Sequence, residues 1–152
     1  AKARGKLGLT VLSSPKKTAF LSDPRFLKAK GFRLADVAAP FFELLYLPLR
    51  EDAPVPRFRD CARAGKTAEP GLVLYYSDLC PFPAKYVPVI AEYAARNGVA
   101  LTVRKLETAE QAQSSPCAFP IYSLFYQGDL VTHEILSEKK FEAVLKKLGL
   151  LP

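Results

Sequence analysis

The sequence predicts an α/β chain in two lobes of unequal completeness, and three observations predict it. β-rich apolar runs alternate with stretches of helical spacing along most of the chain. That pattern breaks between Arg50 and Pro70, where "EDAPVPRFRDCARAGKTAEP" has neither period and holds prolines at 54, 56 and 70. Downstream of the break the elements run β-α-β-α-β-β-α, whereas upstream they run only strand, helix, strand, strand.

The first lobe opens with a strand over Leu7 to Leu12. "LSDPRFLKAKGF" then carries a helix's punctuation: Ser22 or Asp23 caps it, Pro24 suits its first turn, Lys28 and Lys30 sit near its end and Gly31 stops it. Phe32 to Val37 give a short strand and Phe41 to Leu49 a longer one, which Pro48 assigns to a sheet edge. Residues 51–70 read as an extended linker. The second lobe begins with a strand over Gly71 to Tyr76 and a helix from Pro83 to Asn97, stopped by Gly98. On that helix Tyr86, Val89, Ile90, Tyr93 and Ala94 share a face that can pack on a sheet. Val99 to Leu106 form a strand and Ala109 to Ser115 a short helix. Ile121 to Tyr126 and Leu130 to Ile135 form a hairpin across "QGD". Ser137 caps a last helix whose Phe141, Val144, Leu145 and Leu148 share a face.

Composition narrows the function classes. No apolar run approaches the ~20 residues of a membrane span. Three irregularly spaced cysteines do not make a secreted disulfide framework, which points to the cytoplasm. One histidine, His133, and no Cys-x-x-Cys leave too few soft ligands for a metal centre, and His133, between Thr132 and Glu134, reads as a surface imidazole. Residues 1–70 hold 14 Lys+Arg against 7 Asp+Glu, so the whole net charge of +7 lies there. These cations are scattered, with few aromatics between them to stack bases, which disfavours a nucleic-acid partner.

Cys80 stands between a strand and a helix, Pro88 lies eight residues on, and "FPIYSLFYQGDLV" runs from a proline through a strand to a glycine turn. These features resemble the thioredoxin fold, with Pro120 in the place of the cis-proline and Gly128 at the turn. "YYSDLCPFPAKYV", "EQAQSSPCAFPIYSLFYQGDLVTHEILSEKKFEAVL" and "FFELLYLPLREDAPVPRF" resemble, more closely, the YoaP-like proteins, in which a GNAT-superfamily N-acetyltransferase domain precedes a thioredoxin-like one. The resemblance implies that residues 1–50 are the C-terminal part of a GNAT domain, 51–70 a linker and 71–152 a YoaP-like thioredoxin-fold domain. The R/Q-x-x-G-x-G/A loop that cradles the coenzyme A pyrophosphate would then lie upstream of Ala1, and the chain would be a fragment. It further implies an acetyl-CoA-dependent N-acetyltransferase acting on an amine, either a small molecule or a peptide, with the second domain positioning substrate or partner. The incomplete first sheet would offer an edge for a homo-oligomer.

Candidate site residues follow. Glu43, between Phe42 and Leu44, is a candidate base facing the substrate amine, with Phe42 beside it; it reads equally well as a solvent-facing carboxylate. The family's "F-Y-x-x-x-G-F" tyrosine is replaced by Leu27 in "FLKAKGF", so the acid falls to Tyr46 or to a water. Ser13 and Ser14 end the first strand, where they either line the acyl pocket or begin a loop. The rival function is a thiol-based binding or redox module. Cys80 is its candidate thiol, since a helix N-terminus favours a thiolate, but Pro83 stands where the resolving cysteine would be. Cys117, three residues before Pro120, is the remaining candidate resolving thiol, although it reads first as a small buried hydrophobe. Phe119 and Pro120 offer an edge for an extended peptide.

Overall fold

The local punctuation of the chain dictates most of its elements. A computed structural model of the chain describes residues 4–152. The first sheet holds β1 (Gly8–Ser13), β2 (Arg33–Ala38) and β3 (Phe42–Pro48), with α1 (Pro24–Ala29) between β1 and β2. Asp23 caps α1 by accepting the Arg25 N–H at 2.9 Å, and Gly31 leaves it at φ 88°. The strand order is β1-β3-β2, antiparallel throughout. Pro48 is therefore not on an edge strand. It is tolerated in the central strand because it is the last residue of β3, opposite Gly8, where the ladder ends.

The 51–70 segment is more than an extended tether. It contains a single helical turn, α2 (Asp60–Arg63), and hydrogen-bonds to both lobes. Asp36 of β2 accepts the Phe58 N–H and pairs with Arg63, each at 2.9 Å, while Thr67 N–H reaches Gly128 O, also at 2.9 Å. No helical period was visible there because one turn is too short to show one.

The second sheet comprises β4 (Leu72–Ser77), β5 (Leu101–Leu106), β6 (Tyr122–Tyr126) and β7 (Asp129–Thr132), in the order β5-β4-β6-β7. Only β4 and β5 run parallel, because α3 (Pro81–Arg96) supplies the crossover. Helices α4 (Ala109–Gln113) and α5 (Glu138–Lys147) complete the expected β-α-β-α-β-β-α order. On α3 the buried residues are Pro83, Val87, Ile90 and Ala94, while Val89 is 39% exposed. The expected face is thus the packed one at Tyr86, Ile90, Tyr93 and Ala94, with Val87 on it in place of Val89. The hairpin also ends early: β7 stops at Thr132, and His133, Ile135 and Leu136 leave the ladder to become buried.

Two cores flank the second sheet. Leu72, Leu74, Tyr122 and Leu124 face α3 and α5, meeting Ile90, Phe141 and Leu145. On the opposite face Phe125 meets Phe42 and Ala38 of the first sheet, together with Cys117 and Phe119. Strand alternation accounts for the split, since 72, 74, 122 and 124 share a parity that 125 does not. Phe119 is driven into this shared core at 4% exposure, and its bond to Pro120 is trans. The expected cis isomer is instead found at Ala39–Pro40, in the turn between β2 and β3.

Candidate functional site

Glu43 lies where the sequence allowed two outcomes, and the structure selects the interior one. In β3 it is paired with Ser13 on one side and Val37 on the other, at the end of the sheet beside the β2–β3 turn. It is 9% exposed, and its Oε2 is sealed from solvent without a hydrogen-bond partner. Lys28 Nζ approaches to 3.6 Å, close enough for attraction and too far for a hydrogen bond. Glu43 lines a pocket of about 450 Å³ whose other walls include Val37, Pro40, Phe41, Phe42 and Arg63. A buried carboxylate oxygen with no hydrogen-bond donor is costly, and an apolar pocket with that carboxylate in its wall suits a cationic or N–H-bearing ligand.

Arg63 does not compete strongly for that role, since its guanidinium is already held by Asp36 at 2.9 Å. The Asp36 carboxyl lies below its usual range. Burial opposes ionisation, but the Phe58 and Val37 N–H groups and the charges of Arg63 and Arg57 together outweigh it. The pocket wall on that side is thus a neutralised ion pair.

The other acyl-transfer candidates are placed differently. Ser13 and Ser14 are buried, with hydroxyls donating to loop carbonyls: Ser13 to Ser22 O at 2.8 Å and Ser14 to Lys16 O at 2.5 Å. They hold the 15–22 loop, and only the neighbouring Pro15 reaches the Glu43 pocket. Tyr46 is 3% exposed and lies three residues from Glu43, hence on the opposite face of β3. Its ring packs against Gly8, where a Cβ would come within 2.2 Å of Tyr46 Cε2. The structure does not bring Glu43 and Tyr46 together. Leu27 is buried in α1.

The thiols are also kept apart. Cys80 is the N-cap residue of α3, half-buried, and packs against the core beneath the helices. Cys117 belongs to the core on the other face of the sheet, and burial pushes its thiol up to about 11. All three cysteines are free, and Cys61 is exposed. Phe119 is consumed by the shared core, so it presents no peptide-binding edge.

His133 is buried rather than superficial. Its ring meets Phe41, Phe42 and Phe119 edge-on with centroids 5.3–5.5 Å apart, and Nε2 lies 3.1 Å from Ala19 O. Because the carbonyl only accepts, Nε2 carries the proton and donates it. Polar neighbours at 132 and 134 gave the residue a surface signature, and only the meeting of the two lobes reveals its role. Lys28 was read as a helix-terminating charge, and nothing in its spacing tied it to Glu43.

Among the described residues no helix is long and apolar enough to cross a membrane, and no group of three or more His, Cys, Asp or Glu is placed to hold a metal ion. Residues 101–143 match the YoaP-like family. The chain is also similar to the uncharacterized N-acetyltransferase YoaP of Bacillus subtilis (strain 168), at 36% identity over 149 residues. That alignment covers 98% of this chain but only 59% of the relative, so the chain spans well under two thirds of the length of the curated protein it matches.

Proposed function

We propose that this chain supplies the acceptor-amine half of an acetyl-CoA-dependent N-acetyltransferase of the GNAT class, working in the cytoplasm. The observation that carries the reading is Glu43, a buried carboxylate whose Oε2 has no hydrogen-bond partner, in the wall of an apolar pocket. The resemblance to an N-acetyltransferase supplies the reaction class. In this reading the substrate ammonium replaces Lys28 beside Glu43, and its carbon skeleton lies against Val37, Pro40 and Phe41. Glu43 then accepts a proton from the ammonium, leaving the free amine that nucleophilic attack requires. Holding that amine in a fixed pocket contributes orientation as well as proton transfer.

The N-termini of α1 and α3 do not fit the phosphates of coenzyme A. The N-terminus of α1 is occupied by the Asp23 carboxylate, which would repel a phosphate. The first turn of α3 holds Pro81 and Pro83, which lack N–H donors. In this reading the donor's phosphates are recognised by residues other than these two helix ends. Residues 71–152 are read as a thioredoxin-like domain that positions substrate or partner. The β-α-β-α-β-β-α order supports that reading, while the trans Phe119–Pro120 bond removes one of its three register markers.

The test is acetyl transfer from acetyl-CoA by the full-length gene product, followed by thiol release with a panel of arylalkyl and alkyl amines. Glu43→Gln should lower kcat/KM about 10²–10⁴-fold, the usual contribution of a positioned base. A Glu43→Gln enzyme within threefold of the parent, roughly, would remove Glu43 from the reaction.

A further inference from the structure

A second pocket lies away from Glu43, where the 15–22 loop of the first lobe meets α3 and α5. It measures about 290 Å³ and is lined by Phe20, Phe82, Tyr86, Ile135, Ser137 and Lys140. That is at the small end of the range for small-molecule sites. Two features of its walls are unfavourable for an empty protein. Phe20 adopts a left-handed backbone at φ 64° while its ring stays 52% exposed. A bulky residue rarely takes that conformation, and such outliers gather at ligand clamps. Phe82, from the other lobe, is likewise 53% exposed.

Phe20 is nevertheless held in place. The carbonyl of Ala19 accepts the His133 Nε2–H at 3.1 Å, and Leu21 N–H donates to Thr18 O at 3.3 Å. The buried His133 thus fixes the residue just before Phe20 from across the lobe boundary. The polar groups of the pocket are loosely held, Lys140 by an ion pair with Glu134. Ser137 makes no side-chain bond to the helix it precedes. Lys140 Nζ is 3.7 Å from Glu134, beyond hydrogen-bond distance, and its side chain is 64% exposed. Lys140 lies in the first turn of the ten-residue α5, which also carries the acidic Glu138.

We propose that this pocket binds a small aromatic carboxylate. The aromatic body sits between Phe20 and Phe82 over Tyr86 and Ile135, and the carboxylate meets Lys140 and the Ser137 hydroxyl. Ring-on-ring contact and a single charge-assisted bond are the recognition chemistry. The site goes beyond acetyl transfer, since it shares no lining residue with the Glu43 pocket.

The probe is 3-phenylpropionate, titrated into the 15N-labelled chain, with 3-phenylpropionamide as its uncharged counterpart. The acid should bind saturably with a dissociation constant on the order of 1 mM, as suits so few atoms, and shift the amides of Phe20, Phe82 and Ser137. The amide and the Lys140→Gln variant should each bind about threefold more weakly, an exposed ion pair being worth little. Phe20→Gly should weaken binding about tenfold while the melting temperature holds or rises, because glycine accepts the left-handed backbone. Equal affinity for acid and amide, shifts confined to other parts of the chain, or no saturation by roughly 20 mM would each overturn the proposal. So would a Phe20→Gly melting temperature lower by more than about 4 °C, since the ring would then be serving the fold.

Discussion

The two sheets are built from similar strands but are covered very differently. The second has helices on one face and the first lobe on the other, so Val73, Leu74, Leu124 and Phe125 are all fully buried. The first is covered well only on the face that carries Phe42 and Ala38. Its other face has the six-residue α1 over part of its width, and Leu9, Leu34 and Val37 remain 41%, 51% and 55% exposed. The difference shows where the stability of the chain resides and where a partner surface remains available. The first sheet shares the Phe42 core with the second and buries Leu45 on its other face, whereas the second has a larger core of its own beneath α3 and α5.

The largest expected effect comes from disrupting that shared core. Phe42→Ala should cost about 3–5 kcal/mol in urea unfolding, the range for a fully buried phenylalanine. It should also expose the amides of β1 and β2 to hydrogen exchange before those of β4 and β5. A loss below about 1 kcal/mol would mean that the sheets are stabilised independently.

A smaller effect tests the stitching between linker and first sheet. The carboxyl of Asp36 lies below its ordinary value when folded, so its contribution is complete above the unfolded pKa, near 4, and is lost as pH falls through the lower folded one. Replacing Arg63 by Gln should therefore reduce stability at neutral pH and flatten the acid limb of the melting-temperature profile below about pH 4. An unchanged acid limb would show that the coupling of linker to β2 runs through the Phe58 N–H and not through Arg63.

The smallest effect belongs to the uncovered face. Leu34→Glu should change monomer stability by no more than about 0.5 kcal/mol. Sedimentation velocity on the parent and the variant sharpens the point. A parent dimer lost on substitution would identify the face as the interface of a homo-oligomer, and identical sedimentation would rule that face out.

How much of this was legible in sequence depended on whether a residue's surroundings are local. The cap at Asp23, the stop at Gly31 and the hairpin turn at Gly128 are local, and each is found where the chain's punctuation puts it. On α3 four of the five expected residues pack on the core, and Val87 takes the place of Val89 because the two are chemically alike and only tertiary contact selects between them. The candidate site was half legible. Alternation in β3 made Glu43 a candidate, but burial of its Oε2 and the approach of Lys28 depend on how α1 packs. Tyr46 was eligible by chemistry alone, and strand parity places it on the wrong face. His133 and Phe119 were misplaced for a common reason: both are buried by the other lobe, at a distance in sequence that no local pattern spans.

The bond from His133 to Ala19 has a consequence for synthesis. The two residues are 114 positions apart in the chain. At roughly 5–20 residues per second, a ribosome releases His133 about 6–23 s after Ala19. For that interval the loop carrying Phe20 has no anchor from the second lobe, and the apolar face of Phe42 has no Phe125 to meet. The nascent first lobe thus keeps an apolar face uncovered until residues 125–133 emerge to close it.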